Sequence, residues 1–385
     1  MARSAARAVG LLAAWTVAAG AVLAWGCGGD SGEHEGSARA GGGRPARVER
    51  VIGGPGSTTG EFTVPRAIER YQGRLCVADK SGRIQVFEEA TGRCVRWWSV
   101  PECEKGKPTG LTVGPAPAWV CADRRDVLYV AHTHAHRVML YDIAGPGSTS
   151  SGEPGARAGA PDYFTPTLKD DPPVVLAEFG SFGHGPGQFI YPTDVALLVG
   201  DDGRAVERVY VSEYGDHDRV SVFDAEFRFL FSFGTYGASA EAGNVQFDRP
   251  QSMQVDRARG RVVVTDSRNH RVGVFTLDGG LVRWIGSPET SGPGREQLRY
   301  PWSVSLMGDG TAVVVEFGNN RLHWLNLDTG ATLGVAGRAG REKGEFAQPW
   351  AAVADERGAY VVDAANHRVQ RVDLSASGLG GGGWE

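Results

Sequence analysis

The stretch that decides how this chain folds runs from Phe247-Asp-Arg-Pro250-Gln-Ser-Met-Gln-Val255 to Arg261-Val-Val-Val-Thr-Asp266-Ser-Arg-Asn-His270-Arg271-Val-Gly-Val-Phe275. An aromatic stands three residues before a proline. An apolar run then ends on an acid, a short polar turn ends on arginine, and a second apolar run follows. Runs rich in Val, Ile, Tyr and Phe and bounded by Gly, Asp or Asn read as strands. Pro250 opens the first strand, where a missing N–H does least harm. Asp266–His270 is a polar turn that joins the next two strands as a hairpin.

The same phrase recurs along the chain. Phe346-Ala-Gln-Pro349 leads to Tyr360-Val-Val-Asp363 and Asn366-His367-Arg368; Phe62-Thr-Val-Pro65 leads to Leu75–Asp79 and Arg83–Phe87. Pro108 leads to Leu128–His132 and Arg137–Tyr141, Phe189-Ile-Tyr-Pro192 to Val209–Glu213 and Arg219–Phe223, and Leu298-Arg-Tyr-Pro301 to Ala312–Glu316 and Arg321–Leu325. Self-similarity at a period of about 40–50 residues means a closed or stacked array. Most copies carry a fourth apolar run, such as Arg96–Trp98, Phe229–Phe233 and Leu281–Ile285. Four antiparallel strands, six times, with no helical periodicity, predict an all-β six-bladed β-propeller over residues 47–374.

The sixth copy stops after its hairpin, at Ala359–Val362 and Arg368–Val372, and runs into glycines. Its outer strand is supplied by Val48-Glu-Arg-Val-Ile52 at the other end, which leads into Gly60-Glu-Phe62 as Thr332–Val335 leads into Gly344-Glu-Phe346. An N-terminal strand closing the last blade buries two edges that would otherwise be exposed. The chain is expected to be a monomer.

These copies, with Asn-His-Arg at 269–271 and 366–368, resemble the NHL repeat, whose members build six-bladed propellers. The resemblance spans nearly all of 47–374 and implies the fold without implying an activity. A more distant likeness, through Gly60–Pro65, Leu75–Asp79 and Gly82–Phe87, is to the peptidyl-α-hydroxyglycine amidating lyase, a zinc enzyme on the same kind of propeller. The resemblance implies zinc-holding histidines directly after the repeat prolines. Here those positions hold Arg66, Thr109, Thr193, Gln251, Trp302 and Trp350, so the lyase activity does not carry over. There is no RING-type Cys/His pattern, so the ubiquitin-ligase role of animal NHL proteins does not transfer either.

The flanks speak to location. Arg3 and Arg7 precede an uncharged, mostly apolar run, Val9–Gly26, that ends at Cys27-Gly-Gly. Residues 1–27 therefore read as an export signal of lipoprotein type, with Cys27 lipidated, or as an uncleaved span at the lower edge of bilayer-crossing length. Either reading puts the propeller outside the cytoplasm, anchored to a membrane of a bacterial cell envelope. Residues 28–46 read as a flexible tether, 144–173 as a disordered insertion before the outer strand of blade 2, and 375–385 as a Gly-rich tail. Export permits disulfides, and Cys76, Cys94, Cys103 and Cys121 allow three pairings, with a bridge at Cys103 or Cys121 favoured over buried thiols.

A net charge of −5 and the lack of a basic stripe leave no electrostatic case for nucleic acid. No Gly-x-Ser-x-Gly elbow or nucleophile–base arrangement appears, and the glycine pairs do not open helices as phosphate loops do. The repeated acids face an arginine across the hairpin turn, which predicts the ion pairs Asp79–Arg83, Glu213–Arg219, Asp266–Arg271, Glu316–Arg321 and Asp363–Arg368. His136, His270 and His367 share one repeat position and read as turn fasteners.

Two places break the pattern. In the second copy the acid is replaced, and the turn reads His132-Thr-His134-Ala-His136-Arg137. Alternate residues of an extended segment share a face, so His132, His134 and His136 could hold a divalent transition metal. The other place is the residue after each proline. Inner strands line a propeller's channel, so Arg66, Thr193, Gln251, Trp302 and Trp350 should meet at one mouth. There the tryptophans either form a platform for a ligand or plug the channel. The resulting expectation is a membrane-tethered binding module, without a cofactor, for a protein, peptide or glycan of the envelope. The alternative is a metal-dependent lyase or hydrolase with a relocated site.

Overall fold

The computed structural model describes residues 44–102, 107–143 and 173–374. They form six four-stranded antiparallel sheets arranged as blades, with the first strand of each blade innermost. These inner strands are Pro65–Tyr71, Pro108–Pro115, Tyr191–Val199, Pro250–Asp256, Pro301–Leu306 and Pro349–Asp355. Each lies beside the next around the axis, and the sixth returns to the first, so the ring is closed. Arg47–Ile52 pairs antiparallel with Arg368–Asp373 and is the outer strand of blade 6. The chain before it is also docked: the Ala46 N–H donates to Gly344 O at 3.1 Å, and the Gly337 N–H donates to Arg44 O at 2.9 Å. Cys27 and residues 1–43, the insertion at 144–172 and residues 375–385 lie outside the described residues. No described helix is long and apolar enough to cross a membrane.

The period-2 alternation of strand side chains builds the core between blades, not within them. Val262 and Val264 pack with Ala196, Tyr210 and Val222 of blade 3, whereas Val263 between them packs with Val304, Ala312 and Val314 of blade 5. The aromatic that announces each repeat, such as Phe62, Phe189, Phe247 or Phe346, is fully buried at such a seam.

The acid and arginine of each turn do more than pair with each other. Arg271 is 1% exposed; its Nε donates to Asp266 Oδ2 at 2.8 Å, and its terminal nitrogens donate to the carbonyls of Ala238, Ser239 and Gln246. Asp266 Oδ1 accepts from the Asp248 N–H at 2.7 Å. The pair therefore staples both the loop entering the blade and the backbone just before its proline. Asp79–Arg83 (3.0 Å), Glu213–Arg219 (2.6 Å), Glu316–Arg321 (2.7 Å) and Asp363–Arg368 (2.8 Å) are built alike.

In blades 2 to 6 the residue before that arginine ties its blade to the next one. His270 Nδ1 accepts from the Tyr300 N–H at 3.0 Å, and His367 Nδ1 accepts from the Val64 N–H at 3.2 Å. Asn320 Oδ1 accepts from the Gln348 N–H at 2.7 Å, and Asp218 Oδ2 from the Arg249 N–H at 2.5 Å. The histidines thus fasten seams as well as turns. Each receiving residue directly precedes a proline and has a positive φ: 54° at Val64, 65° at Arg249, 48° at Tyr300 and 49° at Gln348. A non-glycine residue held there costs about 1 kcal/mol or more, which the latch offsets.

The cysteine and histidine expectations need correction. Cys76, Cys94 and Cys121 are free thiols, and Cys103 lies outside the described residues. Burial in its strand pushes the Cys76 thiol up to about 12. The His132 turn does not stay extended: Thr133–Ala135 is a 3-10 turn, and His136 is left-handed at φ 56°. His132 is buried with Nε2 at 3.0 Å from Pro101 O, and His136 Nδ1 donates to Ile190 O across the seam. His134 packs on Tyr191 with ring centroids 5.3 Å apart. The three rings are sent in different directions, and no group of three or more His, Cys, Asp or Glu that could hold a metal exists among the described residues.

Candidate functional site: the channel mouth

The inner strands begin at the hairpin-turn face, so the residue after each proline sits at the rim of the axial channel. Arg66, Thr109, Gln251, Trp302 and Trp350 all line a cavity of about 50 Å³. Thr193 does not. Its side chain turns into the seam and donates to Pro250 O at 2.7 Å, and Asp194 reaches the cavity in its place. A short hydroxyl finds a backbone acceptor sooner than it finds the axis.

The two tryptophans meet edge to face, with centroids 5.1 Å apart and planes at 72°. Trp302 stacks on Phe317 at 4.8 Å. The Arg66 guanidinium lies 4.9 Å over Trp350, and that of Arg249 lies 4.9 Å over Trp302 and 4.7 Å over Tyr214. The chain of contacts continues from Tyr214 to Tyr191 (5.1 Å) and from Tyr191 to His134. A belt of aromatic faces and cations from blades 1 to 6 thus surrounds one small opening. Burial lowers the pKa of His134, with His136 and Arg66 adding to the effect, so it faces the mouth as a neutral ring.

Below the rim the sign of the charge reverses. Glu69 and Asp194 line the same cavity. Asp194 accepts from the Met253 and Val195 N–H groups, both at 2.9 Å. Burial pushes Asp194 up to about 7, and burial with the Asp194 charge pushes Glu69 up to about 8. Sequence reading missed both residues, since the acid lies one position after Thr193 in one blade and three after Arg66 in another. Arg249 and Tyr214 were missed as well. Only the turn geometry carries them to the mouth.

A volume of about 50 Å³ admits one or two waters' worth of matter. No polypeptide threads it. What the mouth can do is seat one small polar group under a ligand that lies across the belt.

The NHL repeat family matches residues 247–275, which is blade 4 from its announcing phenylalanine to the end of its third strand. The protein brain tumor of Drosophila melanogaster is 29% identical over 150 residues, 39% of this chain and 13% of that protein, so the chain spans a small part of its curated relative. Among solved structures, a Bacteroides thetaiotaomicron protein of unknown function shares 14% identity at a TM-score of 0.54, over 84% of this chain and 72% of that one. A virginiamycin B lyase from Staphylococcus aureus shares 11% identity at a TM-score of 0.48, over 83% of this chain and 97% of the lyase. With the repeat matched in blade 4 and its fasteners recurring around six blades, this chain is a six-bladed β-propeller that carries an NHL repeat at residues 247–275.

Proposed function

We propose that the propeller is a binding module that captures a polypeptide or glycan across its channel mouth, and that it works outside the cytoplasm, tethered by residues 1–27. The observation that carries the reading is the belt itself. Trp350, Trp302, Phe317, Tyr214, Tyr191 and two arginines converge on one face from separate blades, although the fold asks for none of them there. Large aromatics beside arginine are the residue types that dominate binding energy at interfaces. The match to an NHL repeat supports a protein-interaction role. The export reading rests on Arg3, Arg7 and the apolar run to Cys27.

The test is capture of binding partners from native envelope extracts by the full chain and by Trp350→Ala with Arg249→Ala. The reading holds if partners retained by the wild type are lost from a variant that melts normally. Equal capture by both removes the mouth as the contact surface. Recovery of the native chain in the cytoplasmic fraction would remove the tether.

A further inference from the structure

The polar groups around the mouth are unbalanced in one direction. The Nε1–H groups of Trp302 and Trp350, both on the cavity wall, are buried without a hydrogen-bond partner. Trp97, Trp98 and Trp284 also bury an unpartnered N–H, but none of them lines this cavity. Arg249 donates through Nε to Gln251 Oε1 at 3.2 Å, and its terminal nitrogens make no hydrogen bond among the described residues. That bond occupies the Gln251 acceptor and leaves its amide N–H₂ at the cavity. Thr109 spends its hydroxyl on Thr193 O at 3.0 Å. The Arg249 guanidinium, two indole N–H groups and an amide therefore meet at the rim, and the acceptors Glu69 and Asp194 lie deeper in the cavity. A buried donor left unsatisfied costs about 1–3 kcal/mol, so this set is complementary to a ligand that brings acceptors.

The opposite face offers no such surplus. A hollow of about 920 Å³ there is walled by Arg70, Glu89, Asp355 and Arg371, which neutralise one another at 2.7 to 3.0 Å. Charge demand is concentrated at the mouth.

Resting on the binding role proposed above, we propose that the mouth recognises a carboxylate carried by a peptide that lies across the aromatic belt. A carboxylate is planar, accepts through two oxygens and matches the fork of a guanidinium. It is also small enough for the opening, and Glu69 and Asp194 beneath turn away a deeper or more highly charged anion. Nucleic acid fits less well, because it needs a run of phosphate contacts and the chain carries a net charge of −5 with two arginines on the aromatic belt.

The experiment titrates the full chain, ¹⁵N-labelled at tryptophan, with four probes: a capped octapeptide containing Asp and Glu, its Asn/Gln isostere, a neutral octapeptide with a free C-terminus, and an eight-nucleotide single-stranded RNA. Expected is movement of the Trp302 and Trp350 indole N–H resonances with one of the two carboxylate sources, at least tenfold weaker binding by the isostere, and at least a tenfold loss in Arg249→Gln. Trp350→Phe keeps the ring but loses the N–H, so its loss should be smaller. Success of the capped acidic peptide identifies a side-chain carboxylate, and success of the free C-terminus identifies the chain end. Equal binding of the Asn/Gln isostere, still lost in Trp350→Ala, overturns carboxylate recognition while leaving the mouth as a binding site. RNA binding tighter than every peptide overturns it also. Envelope partners captured independently of Trp350 and Arg249 overturn both proposals.

Discussion

Arg271→Met should lower the melting temperature by about 8 °C. Its guanidinium is 1% exposed and makes four hydrogen bonds, one to Asp266 and three to loop carbonyls; it also sits 3.7 Å over Trp284. Methionine keeps most of the volume and the contact with the indole, so packing changes little. The charge balance does change. Asp266 remains fully buried with only the Asn269 amide at 2.9 Å and the Asp248 N–H at 2.7 Å. Removing one partner of a buried ion pair costs about 3–5 kcal/mol. At about 2 °C per kcal/mol for a domain of this size, 4 kcal/mol gives the stated shift. The control is Arg257→Met, which also removes an arginine with two acidic partners, Asp201 at 2.8 Å and Glu207 at 3.2 Å. That pair is solvated, with Asp201 97% exposed, and should contribute nothing measurable. Differential scanning calorimetry of both variants and of Asp266→Asn with Arg271→Met decides the matter. The double variant should recover part of the loss, since no buried charge is stranded. Equal shifts for Arg271→Met and Arg257→Met would refute the view that the repeat's ion pairs are buried staples.

Removing the closing strand, residues 44–52, strips the edge of Arg368–Asp373 and takes Ile52, 2% exposed, out of its seam; a drop of roughly 10 °C is expected from about 5 kcal/mol of lost burial and hydrogen bonding. A melt within 2 °C of the wild type would place the closure elsewhere. His270→Ala should cost about 1 kcal/mol by releasing the Tyr300 N–H, and His270→Asn should restore most of it, because Asn320 performs that task in blade 5. Chemical denaturation of the three proteins checks the order. The two buried acids should also make stability fall as the pH rises from about 4 to 8. Glu69 and Asp194 titrate at about 8 and about 7 when folded, against 4.5 and 3.8 when free, so the folded state holds protons that the unfolded chain releases. His132 works the other way below pH 6.5, since burial and the nearby Arg137 hold it down at about 4 and the unfolded chain binds the proton first. Asp194→Asn should therefore melt higher than the wild type at pH 8, by up to about 4 kcal/mol, and by less than half of that at pH 5. A pH-independent difference would show that Asp194 is ionised throughout.

The fold was legible because its signals are local. Proline, apolar run, acid, turn and arginine follow one another within each copy, and the Asp266–Arg271 bond closes within six residues. The seams were harder to read, because their partners lie about thirty residues apart or at opposite ends of the chain: His270 meets Tyr300, and His367 meets Val64. Histidine before arginine looked like a turn residue because the sequence shows the turn and hides the neighbouring blade. The same holds at the site. The position after proline marked Arg66, Gln251, Trp302 and Trp350 correctly as cavity residues, yet gave no hint that Thr193 would find the Pro250 carbonyl. Asp194 and Glu69 carry no repeat signature, since no other blade places an acid at their positions.

That asymmetry bears on where function can reside. The acid, the arginine and the residue before it are bound into staples and latches, and changing them alters the ring before it alters any ligand. The residue after proline points at the axis and holds no seam together, except in blades 2 and 3, where Thr109 donates to Thr193 O and Thr193 donates to Pro250 O. The fold therefore leaves four positions free to differ, and the chain fills them with an arginine, a glutamine and two tryptophans. Such a mixture is a poor plug. A channel closed only for stability would favour apolar side chains that leave no donor unpaired, whereas this one buries two indole N–H groups and sets guanidiniums over both rings. Unpaired donors on a cavity wall are tolerated when something else supplies the acceptors. The composition of the mouth is thus better explained by a ligand than by the ring that carries it.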